Sequence, residues 1–355
     1  MKSSPLKRWS PLLLPVLLPG AMLGQSNISL TLSPLTSFGG GDGWLAPGEG
    51  GYAFLGTSNN ERGFAFGNGQ LYLVSRAGGV NVRILNAATG ADLGGLNTSG
   101  ITGGTFALNM VGVAGDGAIY AGNLTTSASS PFKVYRWDSD GATPTVAYNV
   151  NPGLPRIGDS FAVIGSGAST VIAASGSGSS GFATFSNGEA AAVSVPGTAS
   201  GDFRLGLTFV DANTVVGTQG GSWRIAQFTG SSGTLALTTP TSSTSERLLA
   251  YNVVGGVPLL ATADTVSSLV RVYDVTNPGS PILLDDEKTV SGTLTGNGNG
   301  TGAVAWGTLP DGSPVLYAMS SNQGIQAFAV TVVPEPTTYV LLALGLGSLW
   351  LYRRR

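Results

Sequence analysis

One pattern recurs six times along the chain and limits what it can fold into. An apolar strand is followed by a tight turn, a second apolar strand, a loop, and a third strand that alternates apolar with polar residues. The tight turns fall at Asn68-Gly69, Asp116-Gly117, Gly167-Ala168, Asp211-Ala212-Asn213, Gly255-Gly256 and Asp311-Gly312. Most of these are dipeptides that tolerate positive φ, as two-residue hairpins require. The second strands, Leu71 to Ser75, Ile119 to Gly122, Val171 to Ser175, Val215 to Thr218, Leu259 to Ala263 and Val315 to Ser320, are largely apolar, as strands covered on both faces must be. The third strands are Val82 to Asn86, Val134 to Trp137, a weaker Gly181 to Phe185, Trp223 to Phe228, Leu269 to Val275 and Gly324 to Val330. Two repeats open alike, with Glu61-Arg62-Gly63-Phe64-Ala65-Phe66 against Glu246-Arg247-Leu248-Leu249-Ala250-Tyr251.

A repeat of roughly 45 to 55 residues with three or four strands matches a propeller blade. A single blade cannot bury both faces, so blades must pack around an axis. The expected fold class is therefore all-β, with β-propeller-like repeats of about six blades. Seven blades, a parallel β-helix and tandem β-sandwiches are the alternatives. The last repeat runs out near Val332 without a fourth strand. Ile28 to Leu32, or Tyr52 to Gly56, is expected to supply it and close the ring. Val330 to Thr337 reads as a linker.

Composition supports many turns joining short strands. The 355 residues include 55 glycines without a Gly-X-Y period, only 10% are charged, and mean hydropathy is +0.23. Cysteine and histidine are both absent, which excludes disulfides, thiolate nucleophiles, Cys/His zinc sites and a Ser-His-Asp relay. The sequence implies no cofactor. Net charge is −2, but Lys2, Lys7, Arg8, Arg353, Arg354 and Arg355 are 6 of the 17 basic residues, so the body is more acidic than the whole. Such a body is a poor nucleic-acid ligand.

The two ends carry a different signal. Lys2, Lys7 and Arg8 precede an apolar run from Pro11 to Leu18 and then small residues at Gly20, Ala21 and Gly24, the plan of a secretory signal peptide. At the other end, Pro334, Glu335 and Pro336 precede one apolar segment and the arginines Arg353, Arg354 and Arg355. As a helix, Tyr339 to Tyr352 would extend about 21 Å, short of the roughly 30 Å hydrocarbon core. Three arginines beside it should stay on the cytoplasmic side, leaving the body outside, where the leader also sends it.

This tail resembles the PEP-CTERM sorting signal. The resemblance covers about the last two dozen residues. It implies an exosortase-type processing enzyme as partner, with cutting near the motif, and a cell-envelope, cell-surface or extracellular destination with a transient or permanent stay in the inner membrane. Similar proteins are associated with bacteria that make exopolysaccharide. The division expected is 1–26 signal peptide, 27–332 propeller-like extracytoplasmic body, and 333–355 sorting and anchor segment with a single transmembrane helix.

Within the body, several groups suggest chemistry and each has a plainer role. Asp138-Ser139-Asp140-Gly141 and Asp285, Asp286 and Glu287 offer hard oxygen ligands for calcium, or serve as turns. Gly296 to Gly302 is glycine-rich like a phosphate loop, but lacks the Lys-Ser/Thr and a following helix. Asp159, Asp202, Glu246 and Asp264 could furnish paired carboxylates, or bond to loop amides. Arg83, Arg136, Arg224 and Arg271, placed on third strands, could hold a sulfated or carboxylated glycan, or point to solvent. Trp44, Trp137, Trp223 and Trp306 could stack on sugars, or pack between blades. No catalytic set emerges. The expected function is noncatalytic binding, adhesion or structure, with a secreted carbohydrate-active hydrolase or lyase using Asp and Glu as the alternative.

Overall fold

A computed structural model describes Ser26 and residues 28–334. The leader region and the tail from Glu335 onward, including the expected transmembrane segment, lie outside the described residues. Among the described residues no helix is long and apolar enough to cross a membrane.

The chain begins with β1 (Ile28–Pro34) and a short β2 (Trp44–Leu45). Four-stranded antiparallel meanders then follow. The first is β3 (Glu61–Gly67), β4 (Gln70–Ser75), β5 (Asn81–Asn86) and β6 (Asp92–Gly95). The second is β7 (Phe106–Val113), β8 (Ile119–Leu124), β9 (Phe132–Trp137) and β10 (Thr145–Val150). The third is β11 (Ser160–Ile164), β12 (Val171–Ser175), β13 (Gly181–Ser186) and β14 (Glu189–Ser194). The fourth is β15 (Gly206–Asp211), β16 (Thr214–Thr218), β17 (Ser222–Thr229) and β18 (Ser232–Pro240), joined to the third by one bridge between Ser194 and Ser232. The fifth is β19 (Glu246–Val254), β20 (Val257–Asp264), β21 (Val270–Asp274) and β22 (Ile282–Glu287). The last, β23 (Gly302–Thr308), β24 (Pro314–Ser320) and β25 (Ile325–Pro334), takes β1 as its fourth strand.

All six hairpin turns read from the sequence join the first two strands of a sheet. The first strands contact one another in the cycle β3, β7, β11, β15, β19, β23 and back to β3, which closes a propeller-like ring. The missing outer strand comes from Ile28 to Pro34, with Leu30 opposite Val332 and Leu32 opposite Val330. Tyr52 to Gly56 instead forms turns and bends. Ring closure also corrects the expected linker, because β25 continues in register through Pro334, which faces Ile28.

Apolar residues on both faces of the middle strands fill the spaces between sheets. Tyr72, Val74, Ile119, Ala121, Tyr135 and Trp137 form the layer between the first and second. The N-terminal stretch after β1 contributes Phe38, Leu45 and Leu55 to the layer joining the last sheet to the first. Glycine sets how closely the inner strands approach. A Cβ on Gly67 would lie 2.4 Å from Val113 of the next sheet, and one on Gly112 would lie 2.5 Å from Val163 of the one after. The axis is left as a channel of about 450 Å³, lined by all the first strands.

The fourth strands were the elements least visible in the sequence. They are outer edges, and strands such as β10 and β18 carry exposed or half-buried residues along most of their length. Their hydrophobic signal is correspondingly weak.

Candidate functional site

In an up-and-down meander every first strand runs the same way. The starts of β3, β7, β11, β15, β19 and β23 therefore gather at one end of the channel, with the segments leading into them and the loops between second and third strands. Arg62 lies near the start of β3, Arg76 directly follows β4, Arg156 precedes β11, Arg204 precedes β15, and Arg247 lies near the start of β19. Gly63, Ser160 and Leu205, the residues after Arg62, Asp159 and Arg204, line that end of the channel.

Asp159 is the centre of this group. Its side chain is fully buried and accepts from Arg156 Nε at 2.6 Å, Arg156 Nη2 at 2.7 Å and Arg204 Nε at 3.0 Å. Arg62 donates from Nε to Asn109 Oδ1 at 3.1 Å, and Arg76 donates to the same oxygen. The Arg62 side chain also feels the charges of Asp159, Arg156 and Arg204. The first and fourth sheets stand on opposite sides of a ring of six. Asn109, which receives Arg62 and Arg76, donates in turn to the carbonyl of Gly158 next to Asp159, so the two arginine groups adjoin at this end of the channel.

The arginines exceed the acceptors offered to them. Arg62 is 3% exposed, and its buried Nη1 has no protein hydrogen-bond partner. The Nε of Arg76 and the Nε of Arg247 are in the same condition. Burial lowers the guanidinium of Arg62 to about 10, with the charge of Asp159 opposing it and those of Arg156 and Arg204 adding to it. Burial and the nearby Arg62 lower Arg76 to about 9. Arg76 stacks over Phe106 at 3.4 Å from the ring centre. Beside it, Asn59, Asn60, Phe106 and Asn299 help line a groove of about 520 Å³.

The carboxylates at this end are mostly engaged. Glu246 accepts from Thr262 at 2.6 Å and from Arg271 at 3.2 Å, while burial pushes its carboxyl above the usual range. Asp202 accepts from Arg224 at 3.0 Å and from the Ala199 amide at 2.8 Å. Asp264 accepts from the amides of Val266 and Ser267 and from Ser245. Glu61 differs. One oxygen accepts from the Gly56 amide at 2.6 Å, the other is buried without a partner, and burial raises the carboxyl.

The structure does not gather the third-strand arginines on one face. Each pairs with an acid close by: Arg83 with Asp92, Arg136 with Asp138, Arg224 with Asp202 and Arg271 with Glu246. Trp137 and Trp223 are buried between sheets, and Trp223 meets Tyr273 edge-on at 4.9 Å. Trp44 and Trp306 donate to the carbonyls of Gln323 and Ala250.

The candidate calcium ligands make hydrogen bonds within the protein, and no cluster of three or more acids suited to a metal occurs among the described residues. Asp140 accepts from Tyr72 of the neighbouring sheet at 2.7 Å. Asp285 accepts from the Leu32 amide at 2.6 Å and so ties β22 to the closing strand. In the glycine-rich loop, Asn297 donates to the Thr301 carbonyl and to Ser320, pinning the loop to β24. Of the tail motif, Pro334 ends β25, while Glu335, Pro336, Arg353, Arg354 and Arg355 lie outside the described residues.

Strand alternation in the sequence singles out Arg83, Arg136, Arg224 and Arg271, whereas the arginines gathered at the channel end are others. A usable signal was present, since Arg62, Arg204 and Arg247 each stand at or just before the apolar stretch of a first strand. Arg76 and Arg156 lie in loops of no regular spacing, and only the ring closure brings them in.

The profile of the family described as "Domain of unknown function (DUF4623)" matches residues 51–282. No curated protein matches the chain in sequence. Among solved structures, a DUF4623 family protein from Bacteroides eggerthii superposes with a TM-score of 0.59 at 17% identity, covering 78% of this chain and 72% of that one. A mutant of AofleA from Arthrobotrys oligospora, with arginines replaced by alanine, superposes with a TM-score of 0.51 at 10% identity, covering 80% of this chain and 92% of that one. At these identities the likeness is one of fold.

Proposed function

We infer that this chain, which belongs to the DUF4623 family, is an exported, noncatalytic binding protein of the bacterial cell envelope or extracellular matrix. In this reading residues 1–26 direct export. The propeller-like ring binds a carbohydrate polymer at its arginine-rich end. The segment 333–355, with Pro334, Glu335 and Pro336 ahead of Arg353, Arg354 and Arg355, is a PEP-CTERM-type signal addressed to an exosortase-type enzyme.

The observation that carries the binding reading is the state of the carboxylates. Asp159, Asp202, Glu246 and Asp264 are committed to arginines, hydroxyls and backbone amides, so their charge serves the framework. The donors at the same end are in excess. Glycoside hydrolysis needs two carboxyl groups free to act on one bond.

Two experiments test the proposal. Purified ring protein should retain exopolysaccharide in co-sedimentation without releasing reducing ends. Turnover that disappears in Glu61→Gln while the fold is kept would establish the hydrolase or lyase instead, since Glu61 has the one buried acid oxygen among the described residues left without a partner. Intact mass of protein from envelope and medium should show loss of both termini, and full-length protein confined to the cytosol would overturn the sorting proposal.

A further inference from the structure

The arginines at the channel mouth outnumber the acids that neutralise them. Arg62 and Arg76 share the Oδ1 of Asn109, whose amide donates to the Gly158 carbonyl beside Asp159, and Asp159 is the single carboxylate paired with Arg156 and Arg204, while Glu61 adds a second acid next to Arg62. Asp159 is spent on Arg156 and Arg204. What remains unanswered is the Nη1 of Arg62, which is buried and lacks an acceptor in the protein. A buried guanidinium proton without a partner is costly, and a cluster of like charges adds to that cost.

An anion at the mouth relieves both. Arg156 and Arg204 each keep 27% of the side chain exposed, so donors beyond those facing Asp159 remain open to solvent at the rim. Arg62 is buried and stands one residue from Gly63 on the channel wall. Guanidinium forks match a planar carboxylate with two parallel hydrogen bonds, which an ammonium cannot do. Next to the mouth, Arg76, stacked on the exposed Phe106, opens onto the groove with Asn59, Asn60 and Asn299, whose amides suit sugar hydroxyls.

We propose that the channel mouth is a carboxylate subsite, formed by Arg62, Arg156 and Arg204, that takes a uronate residue of an acidic polysaccharide whose neighbouring sugars lie along the Arg76–Phe106 groove. This deepens the binding reading above and rests on it. Asp159 acts as a positioning residue that holds Arg156 and Arg204 in place.

The test uses the purified full chain with polygalacturonate, its methyl ester, dextran, free glucuronate and inorganic sulfate, read by calorimetry. Polygalacturonate should bind, esterification should weaken it at least tenfold, and free glucuronate should compete. Arg204→Gln, which leaves Asp159 held by Arg156, should weaken acidic binding about tenfold while the protein still melts cooperatively. Arg62→Lys, which keeps the charge and loses the fork, should weaken it similarly.

Equal binding of ester and acid, or no effect of Arg204→Gln and Arg62→Lys, would overturn the subsite. Dextran bound as tightly as the acidic polymer would do the same while leaving polymer binding itself intact. Sulfate competing as well as glucuronate would overturn the carboxylate assignment. Absence of binding to every polymer would remove the binding reading and this inference with it, unless glucuronate alone binds and Arg204→Gln abolishes it. That pattern upholds the subsite for a free uronate.

Discussion

Asn109 on β7 accepts the Nε–H of Arg62 from β3 at 3.1 Å, while its own amide donates to the Gly158 carbonyl, ahead of β11, at 2.5 Å. One fully buried side chain thus ties three successive sheets together and also receives Arg76. Hydrogen bonds to charged groups are worth roughly 1.5–3 kcal/mol, and breaking these leaves buried donors unmet. Asn109→Leu, similar in volume, is expected to destabilise the ring by about 3 kcal/mol or more, measured by urea unfolding. Asn109→Asp should recover part of the loss by accepting from both arginines.

Closure by β1 should dominate global stability. Ile28, Leu30 and Leu32 are buried against the fifth and last sheets, and Asp285 caps the Leu32 amide. Leu30→Ala should cost about 2–5 kcal/mol. Removing residues up to Pro34 should lower the melting temperature far more, because β25 then becomes an open edge. A truncated protein melting like the intact one would refute this role for β1.

Gly217 on β16 faces the fully buried ring of Phe203. A Cβ there would sit 2.1 Å from the ring, so Gly217→Ala should destabilise by about 1–3 kcal/mol. Gly141 has open space around its Cβ position, and Gly141→Ala should leave the melting temperature unchanged.

Asp264 should lend stability that acid removes. Burial opposes its charge, but the amides of Ser267 and Val266 and the hydroxyls of Ser243 and Ser245 outweigh it and hold the carboxyl below 3.8. A lowered acid contributes fully above the unfolded value and loses that contribution as pH falls through the folded one. Asp264→Asn should therefore cost about 1–3 kcal/mol at neutral pH, with the gap between the two melting curves narrowing below pH 3.8.

Glu61 should show the opposite sign. Burial raises its carboxyl above 4.5, so its contribution is complete below that pH and is lost as pH rises through the folded value. Glu61→Gln, which mimics the protonated form, should match the native protein in mild acid below pH 4.5 and melt at or above it at neutral pH. A melting temperature well below native at neutral pH would count against this assignment.

The sequence by itself determined the repeat unit. The turn dipeptides and apolar second strands are local signals, and they place the six hairpins that start each sheet, while leaving the closing strand between Ile28 to Leu32 and Tyr52 to Gly56. Local signals cannot rank side chains by what they meet across the ring. Arg83, Arg136, Arg224 and Arg271 stood out because strand alternation makes a basic residue conspicuous, yet each found its counter-charge close by. Arg62, Arg76, Arg156 and Arg204 are spread along the chain from the first sheet to the entry of the fourth. Only closing the ring brings them together around Asn109 and Asp159, since their convergence depends on the number of sheets and their curvature. The outer strands follow the same logic: a half-exposed edge carries little apolar pattern, and its place is fixed by the neighbour it pairs with.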